Sequence, residues 1–83
     1  MIDHPWLNLT ISGHTDSQGN KDANLRLSQA RADAIKAYLV YEFKISSSRI
    51  EAHGYGSSRP IVEENSDDDR KLNRRVEFEV HKD

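Results

Sequence analysis

The chain contains no cysteine, which excludes a disulfide framework and any thiolate metal site and leaves the redox compartment open. It also lacks a surplus of either charge, since 12 basic residues face 14 acidic ones for a net charge of −2. Nonspecific binding to nucleic acid is driven by neutralising phosphates, so this balance argues against it. No stretch approaches the roughly 20 apolar residues of a membrane-spanning helix. The N-terminus lacks the basic and then apolar regions of a signal peptide, so either any address label lies outside these residues or the protein is cytoplasmic. At 83 residues there is room for one small domain, near the size at which a single core is only marginally stable. Aliphatic and aromatic residues still make up 35% of the chain, enough to build that core.

The apolar residues change period along the chain. Trp6 to Ser12 alternates large apolar with polar side chains, which predicts a strand with Leu7, Leu9 and Ile11 on one face and a stop at Gly13. From about Asp22 to Phe43 the period becomes helical. At about 100° per residue, Leu25, Ala32, Ile35, Leu39 and Phe43 share one face, and Leu27, Ala30, Ala34, Tyr38 and Tyr41 share another beside it. Arg26, Gln29, Asp33, Lys36 and Lys44 are left for the polar side. So wide an apolar arc calls for cover on two sides.

A turn at Ser46–Ser48 leads to a second strand over Arg49–Tyr55. A loop around Ser57–Pro60 and an acidic loop over Glu63–Asp69 follow. One helical turn over Arg70–Asn73 then leads into a strand over Arg75–Val80, with Val76, Phe78 and Val80 inward. The expected fold is a single α/β (α+β) two-layer sandwich, a mixed sheet of about three strands covered by one long helix and a short one.

The most informative pair is Asp16, in the glycine-flanked loop Gly13–Asn20, and Arg31, on the helix inside its apolar arc. A guanidinium on an apolar arc requires a partner to offset its desolvation. Together the two can grip a small ligand that carries both an ammonium and a carboxylate. The ordinary alternative is a structural salt bridge. An Asp in a loop before a helix is also a common N-terminal cap, but Asp22 lies closer to the helix start and fits that role better. Arg74 and Arg75 enter a strand side by side and point to opposite faces, so at most one reaches the same site.

Other groupings carry less. His14, Asp16 and Ser17 are too close in sequence for a catalytic relay. Asp16 to Leu27 fails as a calcium loop, because its last position is leucine rather than a bidentate glutamate. His4, His14, His53 and His81 lack metal-ligand spacing and read as ordinary surface or sheet residues. No catalytic constellation, metal or cofactor is expected.

Several ordered segments resemble the OmpA C-terminal-like domain, the peptidoglycan-anchoring module of OmpA, Pal and MotB proteins. They are Ile11–Asp16, Asn24–Ala32 with Ile35 and Leu39, Gly54–Gly56 after Ile50, Arg59–Ile61, and Asn73–Phe78. The resemblance spans about residues 9–80. It implies noncovalent binding of the wall through the diaminopimelate of its stem peptide, with Asp16 and Arg31 holding the ligand and Thr15, Asn24 and Arg74 beside them. Backbone N–H groups of Thr15–Ser17 are expected to take the ligand carboxylate as well. The implied setting is the periplasmic side of a Gram-negative envelope, where the module tethers an outer-membrane, stator or secretion protein through a segment outside this chain. The alternative is an assembly fragment that keeps the fold without binding the wall.

Members of that family begin with a further strand and helix that the chain is expected to lack. The apolar arc would then stay partly bare, and a homodimer through the exposed surface, or lowered stability, is expected.

Overall fold

In the computed structural model, residues 7–82 are described, and the expected strand residue Trp6 lies outside them. The order is β1 (Leu7–Gly13), α1 (Lys21–Phe43), a 3-10 turn (Ser47–Arg49), β2 (Ile50–Gly54), α2 (Asp67–Asn73) and β3 (Val76–Lys82). The mixed sheet runs β2-β1-β3. The outer strands flank β1 as a parallel neighbour, with Ile11 opposite Ala52, and an antiparallel one, with Ile11 opposite Phe78. This is the expected two-layer α/β sandwich.

Alternation places Leu9 and Ile11 on the helix side of β1, where they are buried with Ala32, Ile45 and Ile50. Ile35, Leu39, Val40, Ala52 and Val76 pack around this small core. The helix comes very close to the sheet because two positions carry no side chain. A Cβ on Gly54 would lie 2.2 Å from the Gln29 nitrogen, and one on Gly13 would lie 2.5 Å from the Ser28 carbonyl oxygen. Gln29, expected on the solvated side, instead ties α1 to the edge strand β2. Its amide donates to the Ala52 carbonyl at 2.9 Å and accepts from Gly54 N–H at 2.8 Å.

α1 lies over β1 and β2. Of its two apolar faces, the one with Ala32, Ile35 and Leu39 meets the sheet, while Leu27, Ala30, Ala34, Tyr38 and Tyr41 are exposed. Phe78 and Val80, expected inward, do lie opposite Ile11 and Leu9 on the core face. They are nonetheless 56% and 55% exposed, since α1 does not extend over β3.

Two ends differ from expectation. The N-cap of α1 is Asn20, whose side chain accepts from Ala23 N–H at 3.0 Å, and Asp22 sits in the first turn. Part of the expected acidic loop is helical: Ser66 caps α2, and Asp67, Asp68 and Asp69 form its first turn. Carboxylates there complement the positive end of the helix.

Candidate ligand-binding site

β1 and β2 are parallel, so their C-terminal ends lie together, and antiparallel β3 starts at that same end. Loops leaving such ends are where open α/β sheets place their ligands. Backbone pairing continues past the strands. His14 N–H donates to the Arg75 carbonyl at 2.9 Å, Thr15 N–H to Gly56 at 2.8 Å, and Tyr55 N–H to Gly13 at 3.0 Å. The loop after β1 therefore starts from a fixed base.

On that base Thr15 and Asp16 are both buried. A buried carboxylate must be paired or hydrogen-bonded. Asp16 Oδ2 accepts from Arg74 Nη1 at 2.6 Å, and Oδ1 accepts from Gln18 N–H at 3.0 Å. Thr15 Oγ1 donates to the Asp16 carbonyl at 2.9 Å, and Asn24 Nδ2 to the Gln18 carbonyl at 2.8 Å. Thr15, Asp16, Asn24 and Arg74 are thus brought together at the start of α1. The two adjacent arginines diverge as expected. Arg74 turns to Asp16, while Arg75 binds Glu77 at 2.5 Å and the Arg59 carbonyl at 2.9 Å.

Arg31 is not brought into this cluster. It is exposed, where partial burial was expected, because the flank of the helix arc that carries it is uncovered. Among the described residues it has no hydrogen-bond or ion-pair partner. It does follow Asn24 on one helical stripe, about two turns or 10 Å along the axis.

Two of the open hollows flank the loop. One of about 240 Å³ is lined by Lys21, Asp22, Leu25, Tyr55, Ser57 and Ser58. The other, of about 330 Å³, is lined by Ser17, Ser57, Pro60, Val62, Glu63 and Glu64. Neither is lined by Asp16 or Arg31.

Several contributors escaped the sequence reading. Glu64, taken for part of a solvated acidic loop, accepts from Ser17 N–H at 3.1 Å, Ser17 Oγ at 2.6 Å and Asn73 Nδ2 at 2.8 Å. Hydrogen bonds from Ser17 and then Asn73 hold its carboxyl below the ordinary range. Two of the loop N–H groups expected to receive a ligand carboxylate are already engaged, Thr15 by Gly56 and Ser17 by Glu64. His14, read as an ordinary surface or sheet residue, is buried and stacked on Tyr55 at 5.5 Å. Neither ring nitrogen has a partner among the described residues. Burial first, and Arg75 second, push its pKa down. No spacing rule gives away a buried imidazole or a carboxylate that bonds across two loops.

The loop base thus holds a buried acid paired with a guanidinium. The chain belongs to the OmpA family, which matches residues 2–74. Outer membrane porin F of Pseudomonas aeruginosa is 42% identical over 80 residues, covering 96% of this chain and 23% of the porin. The peptidoglycan-associated lipoprotein of Burkholderia pseudomallei superposes with a TM-score of 0.88 at 28% identity, covering 95% of this chain and 66% of that one. The cell wall anchor of the T6SS from Pseudomonas aeruginosa gives 0.77 at 28% identity, covering 90% and 54%. The chain thus spans about a quarter of the porin and about two thirds of the lipoprotein structure. The family and these relatives are envelope and anchoring proteins, not enzymes. No helix among the described residues is long and apolar enough to cross a membrane.

Proposed function

We propose that the chain binds peptidoglycan noncovalently through the diaminopimelate of the stem peptide and so anchors an outer-membrane, stator or secretion protein to the cell wall. The observation that carries this reading is the buried Asp16 carboxylate paired with Arg74. Diaminopimelate ends in an ammonium and a carboxylate on one carbon. Inserted at this pair, the ammonium takes Asp16 and the carboxylate takes Arg74, so both charges stay neutralised as water leaves. A guanidinium bonds a carboxylate in bidentate fashion, which selects its geometry as well as its charge. Thr15 and Asn24 hold the loop in shape through the bonds described above. Arg31 reaches back from the helix to add a second cation.

The relatives support this setting. One is named a peptidoglycan-associated lipoprotein and another the cell wall anchor of a secretion system. The module would then work on the periplasmic side of the envelope, held to the outer membrane by a segment outside these residues. Sedimentation with purified sacculi tests the reading. The chain should pellet with sacculi and be released by free diaminopimelate, and a chain that stays in the supernatant would refute wall binding.

A second reading, an assembly fragment without wall binding, is favoured by the uncovered apolar surface. Tyr38, Tyr41, Phe78 and Val80 are each more than half exposed. On this surface the chain would pair with a second copy. Sedimentation velocity at rising concentration should show a dimer that Tyr38→Lys weakens, and a monomer throughout would exclude pairing.

A further inference from the structure

We infer that Glu64 is a positioning residue that fixes the Asp16 loop for its ligand. This deepens the wall-binding reading and rests on it. The carboxylate bridges the Asp16 loop and the end of α2, taking Ser17 N–H and Ser17 Oγ on one side and Asn73 Nδ2 on the other. Its anchor is rigid. Asn73 is fully buried, and its Oδ1 accepts from Ile61 N–H at 2.8 Å while Nδ2 also donates to the Val62 carbonyl at 3.1 Å.

The connection has a simple geometry. Asn73 and Arg74 are consecutive at the end of α2, and Asp16 and Ser17 are consecutive in the loop. Arg74 reaches Asp16 directly, while Asn73 reaches Ser17 through Glu64. The loop is held at neighbouring points by two links from one helix end. With the Arg74 link alone, Ser17 loses its tie to α2, and the loop keeps only its backbone base and the Asn24 bond beside that link. With both, the direction in which Asp16 presents its carboxylate is set before ligand arrives, which reduces the ordering cost of binding. The hollow of about 330 Å³ opens beside this link, with Ser17 and Glu64 in its wall. A longer stem peptide leaving Asp16 would run past it.

The test combines an amide titration with binding by two variants. In ¹⁵N-labelled wild-type chain, the Ser17 amide proton shift should change with an inflection below 4.5, the ordinary glutamate value, as Glu64 protonates. In Glu64→Gln that inflection should vanish, and the Gln18 amide, bound to Asp16 instead, serves as the internal comparison. By calorimetry with a diaminopimelate-containing muropeptide, Glu64→Ala should bind on the order of tenfold more weakly. Glu64→Gln, whose amide oxygen still accepts from Ser17, should stay within about threefold of wild type. A Ser17 amide with no such inflection overturns the link. Binding by Glu64→Ala that equals or exceeds wild type overturns the positioning role, since the carboxylate would then be inert or a competitor for the ligand. Wild-type chain that binds no muropeptide refutes the wall-binding reading, whereas the Ser17 titration still decides the link by itself.

Discussion

Arg74 and Asp16 stand 58 positions apart in sequence and meet at 2.6 Å, with the acid side chain 10% exposed and the arginine 41%. The asymmetry decides what each contributes. Removing Arg74 strands a buried carboxylate, while removing Asp16 frees a cation that can turn to water. Arg74→Ala should therefore lower stability by roughly 1–2 kcal/mol. Adding Asp16→Asn to it should recover part of the loss, since a neutral amide is cheaper to leave unpaired. Urea denaturation of the singles and the double measures this, and strict additivity would show that the two are uncoupled.

Ligand binding should separate the two candidate partners of the wall peptide. Asp16 is buried in the loop, so Asp16→Ala should cost roughly 2–5 kcal/mol of muropeptide affinity. Arg31 is exposed, so Arg31→Ala should cost only about 1 kcal/mol. Calorimetry that found equal losses would show that Arg31 is drawn into a dry site when ligand binds.

The tight seat of α1 on the sheet should be fragile at one point. Gly54→Ala places a methyl 2.2 Å from a helix backbone nitrogen, where only a shift of the whole helix gives relief. A loss of roughly 2–3 kcal/mol is expected in chemical denaturation. A substitution within about 0.5 kcal/mol of wild type would mean that the helix sits farther from β2.

His14 gives the fold an acid limit. Its pKa is lowered below 6.5 in the folded chain, so the unfolded chain takes up the proton first as pH falls. The stability is complete above about 6.5 and is lost between that value and the lower folded one. His14→Phe retains a ring against Tyr55 and removes the proton site, so its stability should vary less across this window. Thermal melts from pH 7 to 5 check it, and parallel curves for the two proteins would exclude His14 as the cause.

The sequence was most legible where a residue type has one physical use. Alternation placed β1 and β3, the helical period placed α1, and the apolar arc announced a helix with two faces to cover. Asp16, Thr15, Asn24 and Arg74 lie near one another because β1 ends, and β3 begins, at the same end of the sheet, beside the start of α1. Arg31 was misjudged in burial for the reason that the arc itself supplies: one flank has no cover among the described residues. Glu64, Gln29 and Asn73 were invisible to periodicity. A polar side chain that satisfies backbone groups across the fold looks the same in sequence as one that faces water.

The central claim is that the site reads an ammonium and a carboxylate on one carbon. Calorimetry comparing two stem peptides that differ only in diaminopimelate or lysine at one position tests it most directly, since the lysine peptide keeps the ammonium and lacks that carboxylate. The diaminopimelate peptide should bind at least about tenfold more tightly, a difference of roughly 1.4 kcal/mol. Equal affinities would contradict the account.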